Sequence, residues 1–88
     1  VVAYLVAWFV ADEGELANVA VSPHARALGM GGMLVDELLA TARARGVAHV
    51  FLEVRESNAG ARTLYERRDF AVVGRRRHYY RRPLEDAL

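Results

Sequence analysis

Residues 19–32 read Val19-Ala20-Val21-Ser22-Pro23-His24-Ala25-Arg26-Ala27-Leu28-Gly29-Met30-Gly31-Gly32. A β-branched apolar stretch meets a Ser-Pro break, an irregular segment follows, and three glycines stand where a helical pattern begins. Glycine at a strand-to-helix junction lets the backbone come close to a ligand. The amides opening the helix converge at the positive end of its dipole, which makes a seat for a pyrophosphate. The run is no Walker loop, because no Gly-Lys-Ser/Thr follows, and its G-x-G-G spacing is not the dinucleotide fingerprint. Taken alone, it reads equally well as a loop with a tight turn.

The flanking sequence supplies a context. Val1 to Ala11 is β-branched and aromatic, which predicts a strand covered on both faces. A turn over Asp12 to Gly14 and a second strand over Glu15 to Val21 complete an antiparallel hairpin. Downstream, Met30, Leu34 and Leu38 at i, i+4 spacing, with Met33 and Ala42 alongside, predict an amphipathic helix over 31–45 that Gly46 stops. Val47 to Val54 alternates as a third strand, so strand, helix and strand form a parallel crossover. Ser57-Asn58 offers a cap for a short helix over 59–68 with Ala61, Leu64 and Tyr65 inward. Phe70 to Val73 reads as a fourth strand. The arginine- and tyrosine-rich end reads as a loop, with a last strand starting at Glu85. The fold class is α/β, a mixed sheet with an N-terminal hairpin, one β-α-β crossover and a second short helix.

Composition bounds the function. At 88 residues the chain is one domain, 1–88, with a thin core. The absence of cysteine excludes disulfides, thiolate nucleophiles and cysteine-based zinc sites, and leaves the cytoplasm as the default compartment. The longest apolar run is too short to span a bilayer and lacks the marks of a signal peptide, so no membrane partner is expected. A net charge of +1 gives no global basic field. Arg75-Arg76-Arg77 and Arg81-Arg82, interleaved with His78, Tyr79 and Tyr80, could stack and neutralise a nucleic acid, but a solvated basic loop is the commoner reading. His24, His49 and His78 lack metal-ligand spacing and read as surface or packing residues, so no metal is expected.

Two stretches resemble the GCN5-related N-acetyltransferase superfamily. Arg26-x-x-Gly29-x-Gly31 is similar to its Q/R-x-x-G-x-G/A signature, in the strand-to-helix setting that signature has there. Leu52-Glu53-Val54-Arg55-Glu56-Ser57-Asn58, continuing through Ala61 and Leu64-Tyr65 to Phe70, is similar to the L-E-V-R-x-S-N-x-x-A-x-x-L-Y-x-x-x-G-F segment of the branch that acetylates the N-terminal residue of a ribosomal protein. The family's first strand, its two helices and a further strand would precede Val1, so the chain is expected to be a partial domain, the cofactor-binding half. The apolar edge this leaves on the first strand invites pairing, and a dimer is expected. Asp69 stands where the family has glycine, and aspartate tolerates left-handed geometry better than most side chains.

The resemblance implies acetyl-CoA as co-substrate, bound by Arg26, Ala27, Leu28, Gly29, Met30, Gly31 and Gly32 around its diphosphate, with Asn58 on the pantetheine. A backbone amide among Val19, Ala20 and Val21 would bond the thioester carbonyl. Glu53 would be the general base that relieves the attacking ammonium of its proton, and Tyr65 the acid that protonates the leaving thiolate. Tyr79 and Tyr80 would line the groove for the acceptor, the N-terminus of a small-subunit ribosomal protein. Read without the family, Glu53 is a solvated strand-end carboxylate paired with Arg55 or Arg26, Tyr65 is a core aromatic, and Asn58 is a helix cap. Acetylation of a small amine or an aminoglycoside, or binding of coenzyme A without catalysis, also fits these residues.

Overall fold

The structure is a computed structural model that describes residues 3–74 and 79–84. Arg75, Arg76, Arg77 and His78, and the strand expected from Glu85, lie outside the described residues. Strands β1 (Ala3–Val10) and β2 (Glu13–Val21) form the hairpin, and α1 (Pro23–Ala27) and α2 (Met30–Ala44) lead to β3 (His49–Glu53). Helix α3 (Ala59–Glu66) then precedes β4 (Ala71–Gly74) and β5 (Tyr79–Pro83). The five strands make one mixed sheet in the order β1-β2-β3-β5-β4, with β2 and β3 parallel and the other neighbours antiparallel.

Three expectations about turns and connections are corrected. The hairpin turn is Ala11-Asp12, not Asp12 to Gly14, and Ala11 takes a left-handed φ of 53°. Gly14 lies inside β2 opposite Phe9, where an added Cβ would stand 3.0 Å from two carbons of the Phe9 ring. The glycine makes room for an aromatic neighbour. The segment after Pro23 is not irregular but a one-turn helix. Ser22 caps it by accepting from the Ala25 amide at 3.2 Å, and Pro23 opens it, a combination the sequence displayed. The arginine- and tyrosine-rich end is not simply a loop, since β5 runs through it and inserts between β3 and β4.

Helix α2 ends as Gly46 predicts. The amides of Gly46 and Val47 bond back to the carbonyls of Arg43 and Ala42, and Gly46 has φ 74°. Helix α3 closes with the same pair of bonds, from Asp69 to Glu66 and from Phe70 to Tyr65, and Asp69 takes the left-handed position at φ 68°. At the start of β3, the Ala48 amide donates to the Asp12 carbonyl at 2.6 Å, which ties the hairpin turn to the crossover.

Leu16, Val50, Leu52 and Tyr80 point to one face of the sheet and are buried with Val35, Leu38, Leu39 and Ala42 of α2 and Tyr65 of α3. Both longer helices therefore cover the same face. Strand β1 was expected to be covered on both sides, yet its residues alternate between half-buried and exposed, and Tyr4, Val6, Trp8 and Val10 lie open. The alternation follows from the one-sided placement of the helices.

Candidate active site

The β2–β3 ladder runs from Glu13↔His49 to Leu16↔Leu52 and stops there. A register shift on the β1 side of β2, between the Leu16 and Asn18 pairs, leaves Ala17 as the extra residue of a bulge, and bulges bend the strand that carries them. Beyond it β2 stays with β1, while the end of β3 pairs with β5. The two parallel strands part, and the main chain of Asn18 to Val21 borders the gap.

Two cavities meet at this gap. The larger, about 570 Å³, is bounded by Val19, Ala20 and Val21 of β2, Arg26, Gly31 and Val35 on the α1–α2 side, and Asn58, Gly60, Ala61, Leu64 and Tyr65 around α3. The smaller, about 240 Å³, reaches the end of β3 at Leu52 to Arg55 and shares Val19, Asn58, Ala61 and Tyr65 with the first. Glu53 borders only the smaller cavity, and Gly31 and Arg26 only the larger. Tyr65 stands at their junction.

The glycine run divides into two parts. The amides of Leu28 and Gly29 are spent on the carbonyls of Ala25 and Arg26, at 3.1 and 3.0 Å, so these residues shape the link between helices. Ala27 belongs to α1 itself. Gly29 caps α2 in the left-handed region at φ 74° and offers no side-chain bond, and the first intrahelical bond runs from the Met33 amide to the Gly29 carbonyl. The amides of Met30, Gly31 and Gly32 are the orphan donors of a helix start. Of the amides in this run, those of Leu28 and Gly29 are therefore taken within the chain, and those of Met30, Gly31 and Gly32 stand at the opening of α2. Arg26 donates from Nε to the Val21 carbonyl at 3.1 Å, which fixes its exposed guanidinium beside the end of β2.

Asn58 caps α3 through Oδ1, which accepts from the Ala61 amide at 3.1 Å, and it also borders both cavities. Glu53 is exposed at the end of β3, so its apolar strand neighbours do not enclose it. The Tyr65 ring is buried and meets Phe70 edge-on at 5.6 Å between centroids. Burial pushes its phenol above the ordinary value.

The expectation that Tyr80 touches an acceptor is corrected. Its side chain is fully buried, and its hydroxyl donates to Glu66 Oε2 at 3.0 Å. Burial, and then the Glu66 carboxylate, push its phenol upward too. Tyr79 pairs in register with Glu53. The arginine pair that follows is split by the strand. Arg81 is exposed, whereas Arg82 is half-buried, with Nη2 3.8 Å from Asp69 Oδ2. His24 is exposed and His49 stacks loosely on Phe51. Among the described residues, no three of His, Asp and Glu gather as a metal site. No helix among them is long and apolar enough to cross a membrane.

The α3 wall of the larger cavity, Gly60, Ala61 and Leu64, and Val35 of α2, which borders the same cavity, were not singled out from sequence as site residues. The inward positions of α3 were visible as packing, and only the gap between β2 and β3 turns them into a cavity wall. That gap depends on the bulge at Ala17, for which the sequence carries no glycine or proline signal.

The model of the acetyltransferase (GNAT) family matches residues 1–70. A [ribosomal protein bS18]-alanine N-acetyltransferase of Salmonella typhimurium is 42% identical over 78 residues, 89% of this chain and 53% of that enzyme. The chain thus spans about half the length of the curated relatives it matches. The crystal structure of the ribosomal-protein-S18-alanine N-acetyltransferase from Escherichia coli superposes with a TM-score of 0.87 at 35% identity, over 98% of this chain and 63% of that one. The PaiA N-acetyltransferase from Thermoplasma acidophilum, solved in complex with coenzyme A, superposes at 0.81 over 91% of this chain and 50% of its own, and at 18% identity shows a likeness of fold. The parted strands and the glycine-headed helix fall inside the matched stretch, and the chain belongs to the acetyltransferase (GNAT) family.

Proposed function

We propose that this chain is the cofactor-binding and catalytic part of an N-acetyltransferase that moves an acetyl group from acetyl-CoA to the α-amine of a protein N-terminus, that of a small-subunit ribosomal protein in the cytoplasm. One observation carries the reading. The gap between β2 and β3 joins a cavity that reaches the glycine-headed helix to one that holds Glu53, with Tyr65 at the junction. The names of the relatives support the acceptor, and the coenzyme A complex of a fold neighbour supports the donor.

In this reading the amides of Met30, Gly31 and Gly32 hold the diphosphate, where the helix dipole favours negative charge, and Arg26 adds a guanidinium. The pantetheine lies in the gap beside Asn58, and a main-chain amide among Val19 to Val21 bonds the thioester carbonyl as charge builds on it. Glu53 takes a proton from the acceptor's ammonium, directly or through a water. The freed amine forms the new C–N bond at the thioester carbon. The C–S bond then breaks, the departing thiolate receives the Tyr65 proton, and the second proton shed by the new amide nitrogen returns through water to the Tyr65 oxygen. Tyr79, whose backbone pairs with Glu53 in the ladder, is the remaining candidate for a contact with the acceptor. The row Tyr4, Val6, Trp8 and Val10 on an edge strand supports association of two copies of this chain, which a monomer in sedimentation velocity would contradict.

Calorimetric titration with acetyl-CoA, followed by thiol release on a peptide with an N-terminal alanine, tests the reading. Glu53→Gln should lower turnover roughly 100-fold while cofactor affinity stays within twofold, since general-base catalysis contributes about that much. Tyr65→Phe should slow turnover in the same way. Absence of acetyl-CoA binding, or unchanged turnover in Glu53→Gln, would overturn it.

A further inference from the structure

Gly31 and Gly32 meet a second demand besides an open helix start. A Cβ on Gly31 would lie 3.3 Å from Cδ1 of Leu64, and one on Gly32 would run into Nη2 of Arg68 and lie 3.0 Å from its Cζ. The guanidinium of Arg68, just beyond α3, therefore lies over the first turn of α2. Its Nε donates to Asp36 Oδ1 at 2.7 Å, its Nη2 to Asp36 Oδ2 at 3.3 Å, and its Nη1 to the Leu64 carbonyl at 3.1 Å. Gly32 and Asp36 are four residues apart and so share one stripe of α2. The bare glycine admits the flat fork, and the carboxylate one turn on grips both of its prongs.

The residues immediately before that stripe, Gly31 and Val35, border the larger cavity, and Leu64, which takes the third bond, borders it from the other side. The clasp thus joins the helices that form two facing walls. It contributes little to stability, because the Arg68 and Asp36 side chains are 24% and 61% exposed and such pairs are screened by solvent. Its consequence is geometric.

We propose that Arg68, held by Asp36 over Gly32, is a positioning residue that sets the distance between α2 and α3 and with it the width of the cavity. The role presupposes that the cavity receives coenzyme A, and it adds a device that adjusts the fit.

The chain has no cysteine, so Ala40→Cys on α2 and Thr63→Cys on α3, both exposed, can carry spin labels for a distance measurement independent of any ligand. Arg68→Gln and Asp36→Asn should each widen or broaden the label distance and weaken coenzyme A binding about threefold to tenfold, as expected for a coupled pair. The double substitution should be no worse than either single one. Gly32→Ala should weaken binding in the parent chain but add nothing to Arg68→Gln, and Arg68→Lys, which keeps the charge without the fork, should recover part of the affinity. Unchanged distances, additive losses, or unfolding of Arg68→Gln by circular dichroism would each overturn the proposal. A parent chain that binds no coenzyme A would remove the acetyl-transfer reading, and the label distances would still decide the clasp.

Discussion

The two faces of the sheet are built from similar residues and meet different fates. On one face Leu16, Val50, Leu52 and Tyr80 are buried beneath α2 and α3. On the other Tyr4, Val6, Trp8 and Val10 stand open, although they alternate with Leu5, Ala7 and Phe9 along the same strand. Residue type does not separate the faces. The placement of the helices does, which is why an unbroken apolar run could not reveal which half of it would be covered. The contrast can be broken by substitution. Leu52→Ala, at a site 2% exposed, should cost about 2–5 kcal/mol in urea unfolding, the range for a deleted buried leucine side chain. Val6→Thr on the open face should change stability by about 0.5 kcal/mol or less. A loss at Val6 that grows with protein concentration would show that the open face is covered by another copy in solution.

Much of the covered side was legible in advance. The stripe of α2, its stop at Gly46, the alternation of β3 and the cap at Asn58 are local signals, and the elements formed within a residue or two of where those signals stand, with β3 starting two residues late and α3 ending two early. What escaped reading depended on partners distant in sequence. Gly14 looked like a turn because its actual reason, the ring of Phe9, lies across the hairpin. Strand β5 was hidden because Tyr80 and Arg82 read as a solvated basic stretch until β3 and β4 flank them. At the site, the residue types of the glycine run were plain, but only the hydrogen bonds separate the spent amides of Leu28 and Gly29 from the three that open α2.

Tyr80 sharpens the contrast from within the covered face. Tyr80→Phe removes one partly buried bond to Glu66 and should cost about 0.5–1.5 kcal/mol near neutral pH. The same substitution should protect the chain in alkali. The phenols of Tyr65 and Tyr80 both lie above the ordinary value of 10.0 in the folded state. Below that value they are protonated whether the chain is folded or not, so the shift brings no pH dependence. Above it the unfolded chain sheds protons that the folded chain retains, and stability falls as pH rises. Denaturant midpoints from pH 8 to 11.5 should decline less steeply in Tyr80→Phe than in the parent. Equal slopes would mean that Tyr80 does not titrate from the covered face.

Asp69 sets how the chain re-enters that face, because it turns α3 into β4 just before Phe70, which is buried against Tyr65. It holds φ 68° where α2 uses a glycine at φ 74° for the same pair of closing bonds. Left-handed geometry costs an ordinary side chain roughly 1–2 kcal/mol, and aspartate less. Asp69→Gly removes that cost, but the unfolded glycine gains freedom that offsets part of the benefit. The side chain's contact with Arg82, at 3.8 Å and from an 87% exposed carboxylate, opposes the gain only weakly. The expected result is a small stabilisation, a few tenths of a kcal/mol and at most about 1 kcal/mol, whereas Asp69→Ala should lose a comparable amount. If glycine there proves neutral or harmful in thermal unfolding, the aspartate is retained for its tie to β5 rather than tolerated for its backbone. The entry of Phe70 into the covered face would then be fixed by charge across the sheet edge.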